Sequence, residues 1–586
     1  MLKILKNLSK KDYLYILIII LMIIGQIYLD LKLPDYMSNI TLEIQKEGSN
    51  IKDILISGLY MLLCALGSLL SAIIVGYFTT LLSANFSLNI RNKIFKKVQS
   101  FSMNEIKKFS PNSLITRTTN DVTQIEMFLA MGLQLLIKSP IMAVCAIIKI
   151  LNKSIAWSIL TGICVIILLI TVTILILIVF PRFKIVQRLI DNINGITREN
   201  LTGIRVIRAF NAEKFEQKRF EKINTDLTNT QLFNQRCFAI LNPIMNLVMH
   251  SQTIGVSIIG AILIDRAGML DKITLFSNMV VFTSYGMQVI MSFLMLAMIF
   301  MILPRASVSA SRINEVLEEK LSIKDGVFDK DTPLTGTVEF KNVSFKYPDA
   351  DEYILKNISF KVKKGETIAF IGSTGSGKST LVNLVMRFYD ATEGEILVDG
   401  INVKEYKQEV LNNKIGYIPQ KSIMFTGTVS ENISYGFNGQ EKPTKESITK
   451  AIEIAQGKDF VESMDKKYDS HIARGGTNIS GGQKQRLSIA RAIARNPEIF
   501  IFDDSFSALD YKTDVTLRKK LKTHLKEATN MIVAQRIGTI IHADKIVVLE
   551  KGECVGVGTH EELLKKCESY KEIAASQLSE EELNHA

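Results

Sequence analysis

The sequence predicts a multidomain protein in which an all-α membrane domain of six helices precedes a soluble α/β domain. Its 586 residues exceed what one hydrophobic core usually supports, so two or more domains are expected. Long apolar runs crowd the first half of the chain. The second half mixes strand and helix patterns and has a glycine-rich loop between one strand pattern and the next helix pattern.

Six apolar stretches are long enough to cross a membrane. A hydrocarbon core about 30 Å thick requires about 20 residues of helix, and each stretch reaches that length. The predicted spans are residues 13–33, 54–78, 129–151, 155–180, 238–264 and 275–303. Because their number is even, both ends of this region are expected on the same side of the membrane.

The net charge of +12 follows the pattern of membrane topology. Lysine and arginine are concentrated in the long segments between the second and third spans and between the fourth and fifth. These segments keep helical periodicity, so we expect helices that continue beyond the membrane. The positive-inside rule predicts that the segments, both termini and the second half are cytoplasmic. Nucleic-acid binding is not expected, because the basic residues do not gather on one soluble face.

Two lysines lie within the third predicted span. A charge at membrane depth usually faces a cavity or a partner, so Lys138 is a candidate functional charge. Lys149 lies near a span end, where extension of the side chain to the membrane surface is the simpler explanation.

The last span carries a row of methionines on one helical face. Met287, Met291, Met295 and Met298 follow one another at spacings of four, four and three residues. Methionine adapts its shape, so this face is a candidate lining for a pocket that accepts varied apolar molecules. The alternative is a stripe packed against a neighbouring helix or against lipid, and the sequence leaves both open.

The glycine-rich loop has the pattern of a phosphate-binding loop. In a strand–loop–helix context, glycines let backbone N–H groups converge on phosphate oxygens at the positive end of the helix. Lys378 is placed for the β- and γ-phosphates and Ser379 for Mg²⁺. The predicted nucleotide-binding residues of the loop are Gly372, Ser373, Thr374, Gly375, Ser376, Gly377, Lys378, Ser379 and Thr380.

Two carboxylates and a second glycine motif complete the predicted chemistry. Asp503 ends an apolar strand, where it is expected to help hold Mg²⁺, and Asp504 takes the position of a general base. A helix start further upstream is preceded by Ser480, Gly481, Gly482 and Gln483. One phosphate does not need two such anion-binding elements, so the second is expected to face the nucleotide of another subunit.

With these motifs the chain resembles, over almost its whole length, a half-transporter of the ATP-binding cassette (ABC) exporters. The resemblance implies two head-to-tail cassettes, each ATP lying between one chain's phosphate loop and the other chain's signature, Ser480–Gln483. It implies that Tyr347 stacks on adenine and that Gln420 binds Mg²⁺ and senses the γ-phosphate. It also implies that Asp510 lies in the loop that crosses between the two sites. The plasma membrane of a bacterium is the expected location.

Two positions depart from the family's pattern. Asp504 stands where the family has its catalytic glutamate, and its carboxylate is one methylene shorter. Gln535 stands where the family has a switch histidine, and an amide cannot carry a positive charge or relay a proton. The signature is intact except that Ile479 replaces the usual leucine. The chain's own site is therefore predicted to be slow, and its partner to be a homologous half-transporter that carries the glutamate and the histidine.

The resemblance also implies a domain plan and a class of cargo. The predicted parts are a transmembrane domain at residues 1–320, a linker at 321–335 and a nucleotide-binding domain at 336–586, with coupling segments near 104–110 and 210–215. Multidrug export of lipophilic or amphipathic compounds is expected, because the predicted lining is apolar and lacks fixed charges. The alternatives are a lipid, peptide or siderophore transporter of the same fold and an ATP-gated regulatory membrane protein.

Overall fold

The computed structural model describes residues 2–45, 50–151, 154–330, 332–436 and 442–578. The chain divides into two compact units: the residues up to Gln99 with Pro111–Glu319, and Ser100–Ser110 with the residues from Lys320 onward. The predicted linker and nucleotide-binding domain extend over residues 331, 437–441 and 579–586, which lie outside the described residues. The predicted boundaries stay predictions, and they do not include the grouping of Ser100–Ser110 with the second unit.

Helices make up the part of the chain that precedes the second unit's sheets. They are α1 (Leu2–Leu5), α2 (Lys10–Gln45), α3 (Ile51–Gln99), α4 (Met103–Phe109), α5 (Pro111–Thr118), α6 (Asn120–Met127), α7 (Leu133–Leu151), α8 (Ile155–Thr202), α9 (Ile204–Ala209), α10 (Glu213–Ala239), α11 (Leu241–Arg266) and α12 (Met269–Glu318). A wider, π-type turn at Phe128–Gly132 joins α6 to α7. All of these helices except α4 belong to the first unit.

The six predicted spans are confirmed as six long apolar helical segments. Those long and apolar enough to cross a membrane are Lys10–Gln45, Ile51–Gln99, Pro111–Leu151, Ile155–Thr202, Glu213–Arg266 and Asp271–Leu296. The 49 residues of α3 extend for about 74 Å at the rise of an α-helix, more than twice the thickness of a hydrocarbon core. The helix therefore continues well beyond a membrane, as its periodic basic segment predicts.

The first unit buries one face of each long helix against its neighbours. In α2, Ile19, Ile23, Ile27 and Leu31 follow at intervals of four residues and are all buried. They pack with Trp157 and other apolar side chains of α3, α7, α8, α11 and α12. Many large apolar side chains on the opposite faces are exposed, which is the arrangement expected of helices surrounded by lipid.

In its described residues, the second unit contains three sheets and ten further α-helices. The strands are β1 (Val338–Phe345), β2 (Leu355–Val362), β3 (Thr367–Gly372), β4 (Glu393–Val398), β5 (Ile401–Asn402), β6 (Ile415–Ile418), β7 (Gly427–Thr428), β8 (His471–Ile472), β9 (Ile499–Asp503), β10 (Thr529–Val533), β11 (Lys545–Glu550) and β12 (Glu553–Gly558). The helices are α13 (Lys378–Val385), α14 (Gln408–Lys414), α15 (Val429–Ile433), α16 (Lys445–Ile454), α17 (Lys458–Glu462), α18 (Gly481–Ala494), α19 (Tyr511–His524), α20 (Ile537–Ile540), α21 (His560–Lys566) and α22 (Glu568–Ala575).

The order of the strands gathers four loops at one edge. The largest sheet has the order β12-β11-β3-β10-β9-β6, and β11, β3, β10, β9 and β6 run parallel. The carboxyl ends of parallel strands meet at the same edge, which is where α/β proteins bind their ligands. The segments that follow β3, β10, β9 and β6 contain the phosphate loop, Gln535, Asp504 and Gln420 respectively.

Apolar residues hold these strands in place on both faces. Phe340 and Ile358 of the antiparallel sheet β2-β1-β4-β5 pack with Phe370 of β3 and Leu381 of α13. On the opposite face of the sheet, Phe500 and Phe502 of β9 pack with apolar residues of α18, the helix that begins at the signature. The fold class predicted from the sequence, six membrane helices followed by an α/β phosphate-loop domain, is thereby confirmed.

Helix α4 contains most of the predicted coupling segment 104–110. It is hydrogen-bonded to the segment of the second unit that begins at Lys320. Ser102 and Glu105 cap the helix start reciprocally. The other carboxylate oxygen of Glu105 accepts a hydrogen bond from the backbone N–H of Ser322 at 3.0 Å. These contacts explain why Ser100–Ser110 belongs to the second unit.

Candidate functional site

The phosphate loop between β3 and α13 needs glycine at two bends. Gly372 and Gly377 have φ angles of +156° and +95°. A Cβ atom at Gly372 would collide with the carbonyl oxygen of Leu549, and one at Gly377 would lie 2.7 Å from Cδ2 of Leu355. The backbone therefore requires these glycines, and the loop leads directly into the amino end of α13 through Gly377.

Lys378 occupies the middle of the loop. Its Nζ donates hydrogen bonds to the carbonyl oxygens of Gly372 and Ser373, both at 2.8 Å. Burial lowers the pKa of Lys378, while the charges of Asp504 and Asp503 oppose that shift. The ammonium group is thus held at the loop, where phosphate oxygens are well placed to replace the two carbonyls as its partners.

Tyr347 lies beside the first turn of α13. Its hydroxyl is 3.1 Å from Oγ1 of Thr380, and its ring meets those of Phe345 and Tyr389 edge to face. Nζ of Lys107, in α4, lies 5.6 Å from the centre of the ring. The structure therefore brings Tyr347 to the phosphate loop, and its stacking on adenine stays a prediction.

Ser379 and Asp503 are joined by a hydrogen bond and are the candidate oxygen ligands for Mg²⁺. The hydroxyl of Ser379 donates to Oδ1 of Asp503 at 2.7 Å, and Asp503 is only 5% exposed. Burial raises the pKa of Asp503, against the lowering effect of this hydrogen bond. Mg²⁺ prefers hydroxyl, carboxylate and phosphate oxygens, so these two side chains fit the metal that the motif predicts.

The carboxylate of Asp504 is held by two amides. Its Oδ2 accepts hydrogen bonds from Nε2 of Gln420 and from Nε2 of Gln535, each at 3.0 Å. Its backbone has a φ of +49° and donates its N–H to the carbonyl of Val533 at 3.0 Å. The three predicted catalytic residues are therefore in direct contact, and both glutamines point their donor groups at the acid. Only the amide oxygen of Gln420 is left for a metal.

The signature lies at the start of α18. Ser480 accepts a hydrogen bond from the backbone of Gln483, whose side chain accepts one from the backbone of Ser480. Ser480 and Gly481 are exposed. Among the described residues, no hydrogen bond joins Ser480–Gln483 to the phosphate loop or to Asp504. Asp510 caps α19 by accepting from the backbone N–H of Thr513 at 3.0 Å.

Two family models match the chain. One, described as the ABC transporter transmembrane region, matches residues 14–318, and the other, described as ABC transporter, matches residues 355–507. The first alone covers more than half of the sequence. This chain belongs to the ABC transporter family. It is an ATPase coupled to transmembrane transport, built as a half-transporter with one membrane domain and one cassette.

Relatives and solved structures match the transporter along most of its length. An uncharacterised ABC transporter ATP-binding protein of Mycobacterium tuberculosis is 38% identical over 528 residues, which cover 89% of this chain and 88% of the relative. A multidrug resistance ABC transporter ATP-binding and permease protein of Lactococcus lactis is 30% identical, covering 97% of this chain and 94% of its own. The structure of a bacterial Atm1-family ABC exporter with ATP bound has a TM-score of 0.79 at 24% identity and covers 97% of this chain and 100% of its own.

The structure of the transporter adds two glutamines that the sequence reasoning missed. Gln485 of α18 is 2% exposed; it accepts from the hydroxyl of Ser422 at 2.6 Å and thereby ties the segment after Gln420 to the signature helix. Gln577 donates to the carbonyl of Gln535 at 2.9 Å and accepts from the N–H of Ile537 at 2.8 Å. No local pattern marks either residue, because all three hydrogen bonds join segments that are distant in sequence.

A second candidate site is a cavity of about 430 Å³ in the transporter's membrane unit. Met287, Met291 and Met295 line it, whereas Met298 is not among its lining residues. The methionine face therefore borders a pocket, one of the two alternatives the sequence leaves open. Lys138 also lines the cavity, so the expectation of a lining without fixed charges is wrong. That expectation considered one helix only, and the lysine comes from α7.

Lys149 has a specific partner. Its Nζ lies 2.7 Å from Oδ2 of Asp35, and the hydroxyl of Tyr285 donates to the other oxygen of that carboxylate at 2.7 Å. The side chain of Lys149 is 40% exposed. Pairing with Asp35, rather than extension to the membrane surface alone, accounts for a lysine at this depth.

Proposed function

We propose that this chain is one subunit of a heterodimeric ATP-driven exporter and that its own phosphate loop forms a slow ATP site. The observation that carries the proposal is the contact of Asp504 with Gln420 and Gln535. A general base must reach the attacking water and accept its proton. The carboxylate of Asp504 is one methylene shorter than the family's glutamate, and one of its oxygens already accepts two amide hydrogen bonds.

Gln535 adds to the same effect. A histidine at this position can carry a positive charge or pass on a proton, whereas an amide does neither at any ordinary pH. Binding of nucleotide does not depend on either group. Lys378, the loop amides and the Ser379–Asp503 pair would still hold ATP, with Mg²⁺ neutralising part of the phosphate charge when bound. The expected result is a site that binds ATP and cleaves it slowly.

The partner is proposed to be a homologous half-transporter with a complete catalytic set. The exposed signature of this chain, Ser480 and Gly481, would complete the partner's ATP site. In the first unit, Phe210 and Phe215 are 78% and 68% exposed in the second predicted coupling segment. Exposed aromatic side chains of this kind are frequent at protein interfaces, so this segment is proposed to contact the partner's cassette.

We propose export of lipophilic or amphipathic compounds from the cytoplasm, with both termini and the cassette on the cytoplasmic side. The cavity of about 430 Å³ lies within the range of pockets that take drug-sized ligands. Its four lining methionines, Met142 of α7 and three of α12, provide an adaptable apolar wall. Two relatives support this class of cargo by name. One is the Lactococcus lactis protein, and the other is a putative multidrug export ATP-binding/permease protein of Staphylococcus aureus, which is 42% identical over 264 residues that cover 45% of each chain.

The asymmetry can be tested in the assembled transporter. If hydrolysis takes place mainly at the partner's phosphate loop, Asp504→Asn should change steady-state ATP turnover by less than about twofold. Ser480→Arg should lower it by about 100-fold or more, because the signature completes the partner's site. Thr559→Arg is a matched control, since Thr559 caps α21 with the same reciprocal bonds as Ser480 and lies outside the motif.

Equal losses from Asp504→Asn and Ser480→Arg would show that both sites hydrolyse and would contradict the proposal. ATP-dependent uptake of a lipophilic dye by inverted vesicles, together with dye-stimulated hydrolysis, separates transport from a purely regulatory use of ATP. We expect both signals from the pair of subunits.

A further inference from the structure

The cavity in the membrane unit is lined by both apolar and polar side chains. Its apolar lining residues are Met142 of α7 and Met287, Met291 and Met295 of α12, and the one charged residue among its described lining residues is Lys138 of α7, which is followed by Ser139. A ligand that fills this space meets flexible thioether chains and one ammonium group. The wall is therefore suited to an amphipathic molecule.

Lys138 lines the cavity and forms an ion pair with a carboxylate that does not line it. Its Nζ lies 3.5 Å from Oδ2 of Asp30, an ion pair longer than a good hydrogen bond. Asp30 is not among the residues that line the cavity, and its other oxygen accepts a hydrogen bond from Ser68 at 2.5 Å. Of the two charged residues, only Lys138 lines the cavity, and Asp30 has a second interaction with Ser68.

Ser139 adds a free donor beside Lys138. Its residue is 1% exposed, and its hydroxyl has no hydrogen-bond partner among the described residues. Hydroxyls elsewhere in the cavity wall are already used, since Ser292 and Thr283 donate to the backbone carbonyls four residues earlier. A buried hydroxyl that faces a cavity and lacks an acceptor is expected to find one in the ligand.

Another ion pair between spans of this unit shows the geometry of a pair that stabilises helix packing. Lys149 and Asp35 are 2.7 Å apart, and Tyr285 donates to the same carboxylate. Neither charged residue lines the cavity. The longer Lys138–Asp30 contact and its position at the wall therefore distinguish it from a pair that only stabilises helix packing.

We propose that the cavity selects amphipathic anions, molecules with an apolar body and one carboxylate or sulfonate group. The anionic group would replace Asp30 as the ion-pair partner of Lys138 and would accept a hydrogen bond from the hydroxyl of Ser139. Asp30 would keep the hydrogen bond that it accepts from Ser68. A cationic headgroup is disfavoured, because the ammonium group of Lys138 lies between it and Asp30. This inference rests on the proposed export function and narrows its cargo.

The test compares two probes that share one apolar body and differ in their end group, the anionic 11-(dansylamino)undecanoate and its uncharged methyl ester. The full-length chain is reconstituted in lipid nanodiscs, and binding is followed by energy transfer from Trp157, the single tryptophan of the chain, with empty nanodiscs as the blank. We expect the acid to bind about tenfold more tightly than the ester. Lys138→Met should abolish the difference, and Ser139→Ala should reduce it.

Two further variants keep the test decisive. Asp30→Asn removes the competing carboxylate and should tighten binding of the acid without changing that of the ester. Lys149→Met removes a lysine of the same unit that does not line the cavity, and it should leave the acid-to-ester ratio unchanged. Equal affinities of the two probes in the wild-type chain would overturn the proposal, as would an Asp30→Asn variant that binds the acid no more tightly.

This measurement requires neither a partner subunit nor ATP turnover. A symmetric or rapidly hydrolysing transporter would therefore contradict the proposed heterodimer and leave the binding preference intact. A chain that prefers the ester would leave export of lipophilic compounds in place and remove only the anionic class.

Discussion

At the scale of single residues, the slow hydrolysis proposed for this chain's ATP site depends on the surroundings of Asp504. The side chain takes part in two hydrogen bonds that a catalytic base would have to exchange for a water molecule. Its left-handed backbone conformation and its N–H bond to Val533 fix where the carboxylate starts. A longer side chain at this position extends further from the same anchor, which is the geometric reason that glutamate suits the role.

Replacing both Asp504 and Gln535 by the family's residues should restore ATP turnover at this site, and replacing only one of them should not. Asp504→Glu supplies the missing methylene but leaves an amide at position 535, and Gln535→His supplies the imidazole but leaves the short acid. A positioned general base and its partner contribute about 100-fold or more to rate. Because each ATP site needs the signature of the other chain, the variants are assembled with a partner whose own catalytic glutamate is replaced by glutamine. We expect this assembly to release phosphate about 100-fold faster with the double variant than with the wild-type chain, and less than about tenfold faster with each single variant.

The measurement is steady-state phosphate release by this assembly in nanodiscs at saturating Mg²⁺ and ATP. Gln485→Glu is a suitable control for the introduction of a carboxylate near this edge of the sheet, and it should not raise the rate. If Asp504→Glu alone were as fast as the double variant, the role given to Gln535 would be wrong.

At the scale of structural elements, the closing helices α21 and α22 are joined through a buried histidine. Nδ1 of His560 lies 2.6 Å from the hydroxyl of Tyr570, and both side chains are buried beside β11. Burial lowers the pKa of His560 below its ordinary value. The folded unit therefore favours the neutral imidazole, and the unfolded chain takes up a proton at a higher pH than the folded one.

The sign of this shift predicts a loss of local stability in acid. Between the ordinary histidine pKa of about 6.5 and the lowered folded value, only the unfolded state is protonated, so stability falls as the pH falls through this window. We expect hydrogen-exchange protection of α22, corrected for the intrinsic rate, to decrease between about pH 7.5 and about pH 5.5. His560→Gln should remove most of that decrease.

His524, which is exposed at the end of α19, provides the matched control. His524→Gln should leave the pH dependence of α22 as it is in the wild type. A wild-type profile that is flat across this pH range would contradict the assignment of the shift to His560.

At the scale of the whole molecule, the sequence predicts what local pattern determines. Apolar runs of about 20 residues specify six spans whatever lies around them, and a glycine loop between a strand and a helix specifies the phosphate site. The pairing of Lys138 with Asp30 could not be predicted in this way, because it depends on how α2 and α7 pack. The contacts of Asp504 depend equally on the strand order β10-β9-β6, which no local periodicity records.

The same scale exposes the limit of reading one helix at a time. The methionines of α12 alone suggest an uncharged lining, and only the neighbouring α7 adds Lys138 and Ser139 to the cavity. Likewise, the sequence predicts that Lys149 extends to the membrane surface, whereas the structure pairs it with Asp35, which also accepts a hydrogen bond from Tyr285. Charges within membrane spans are therefore best interpreted in pairs, since an unpaired charge at this depth is costly.

The most direct test of the central claim follows the fate of ATP in each subunit of the native assembly. The transporter is allowed to turn over 8-azido-ATP labelled at the α- or the γ-phosphate and is then photocrosslinked, and the two subunits are separated. We predict that this chain retains both labels, because its ATP stays intact, while the partner retains only the α-label. Equal loss of the γ-label from both subunits, or an assembly of two identical copies of this chain, would contradict the account.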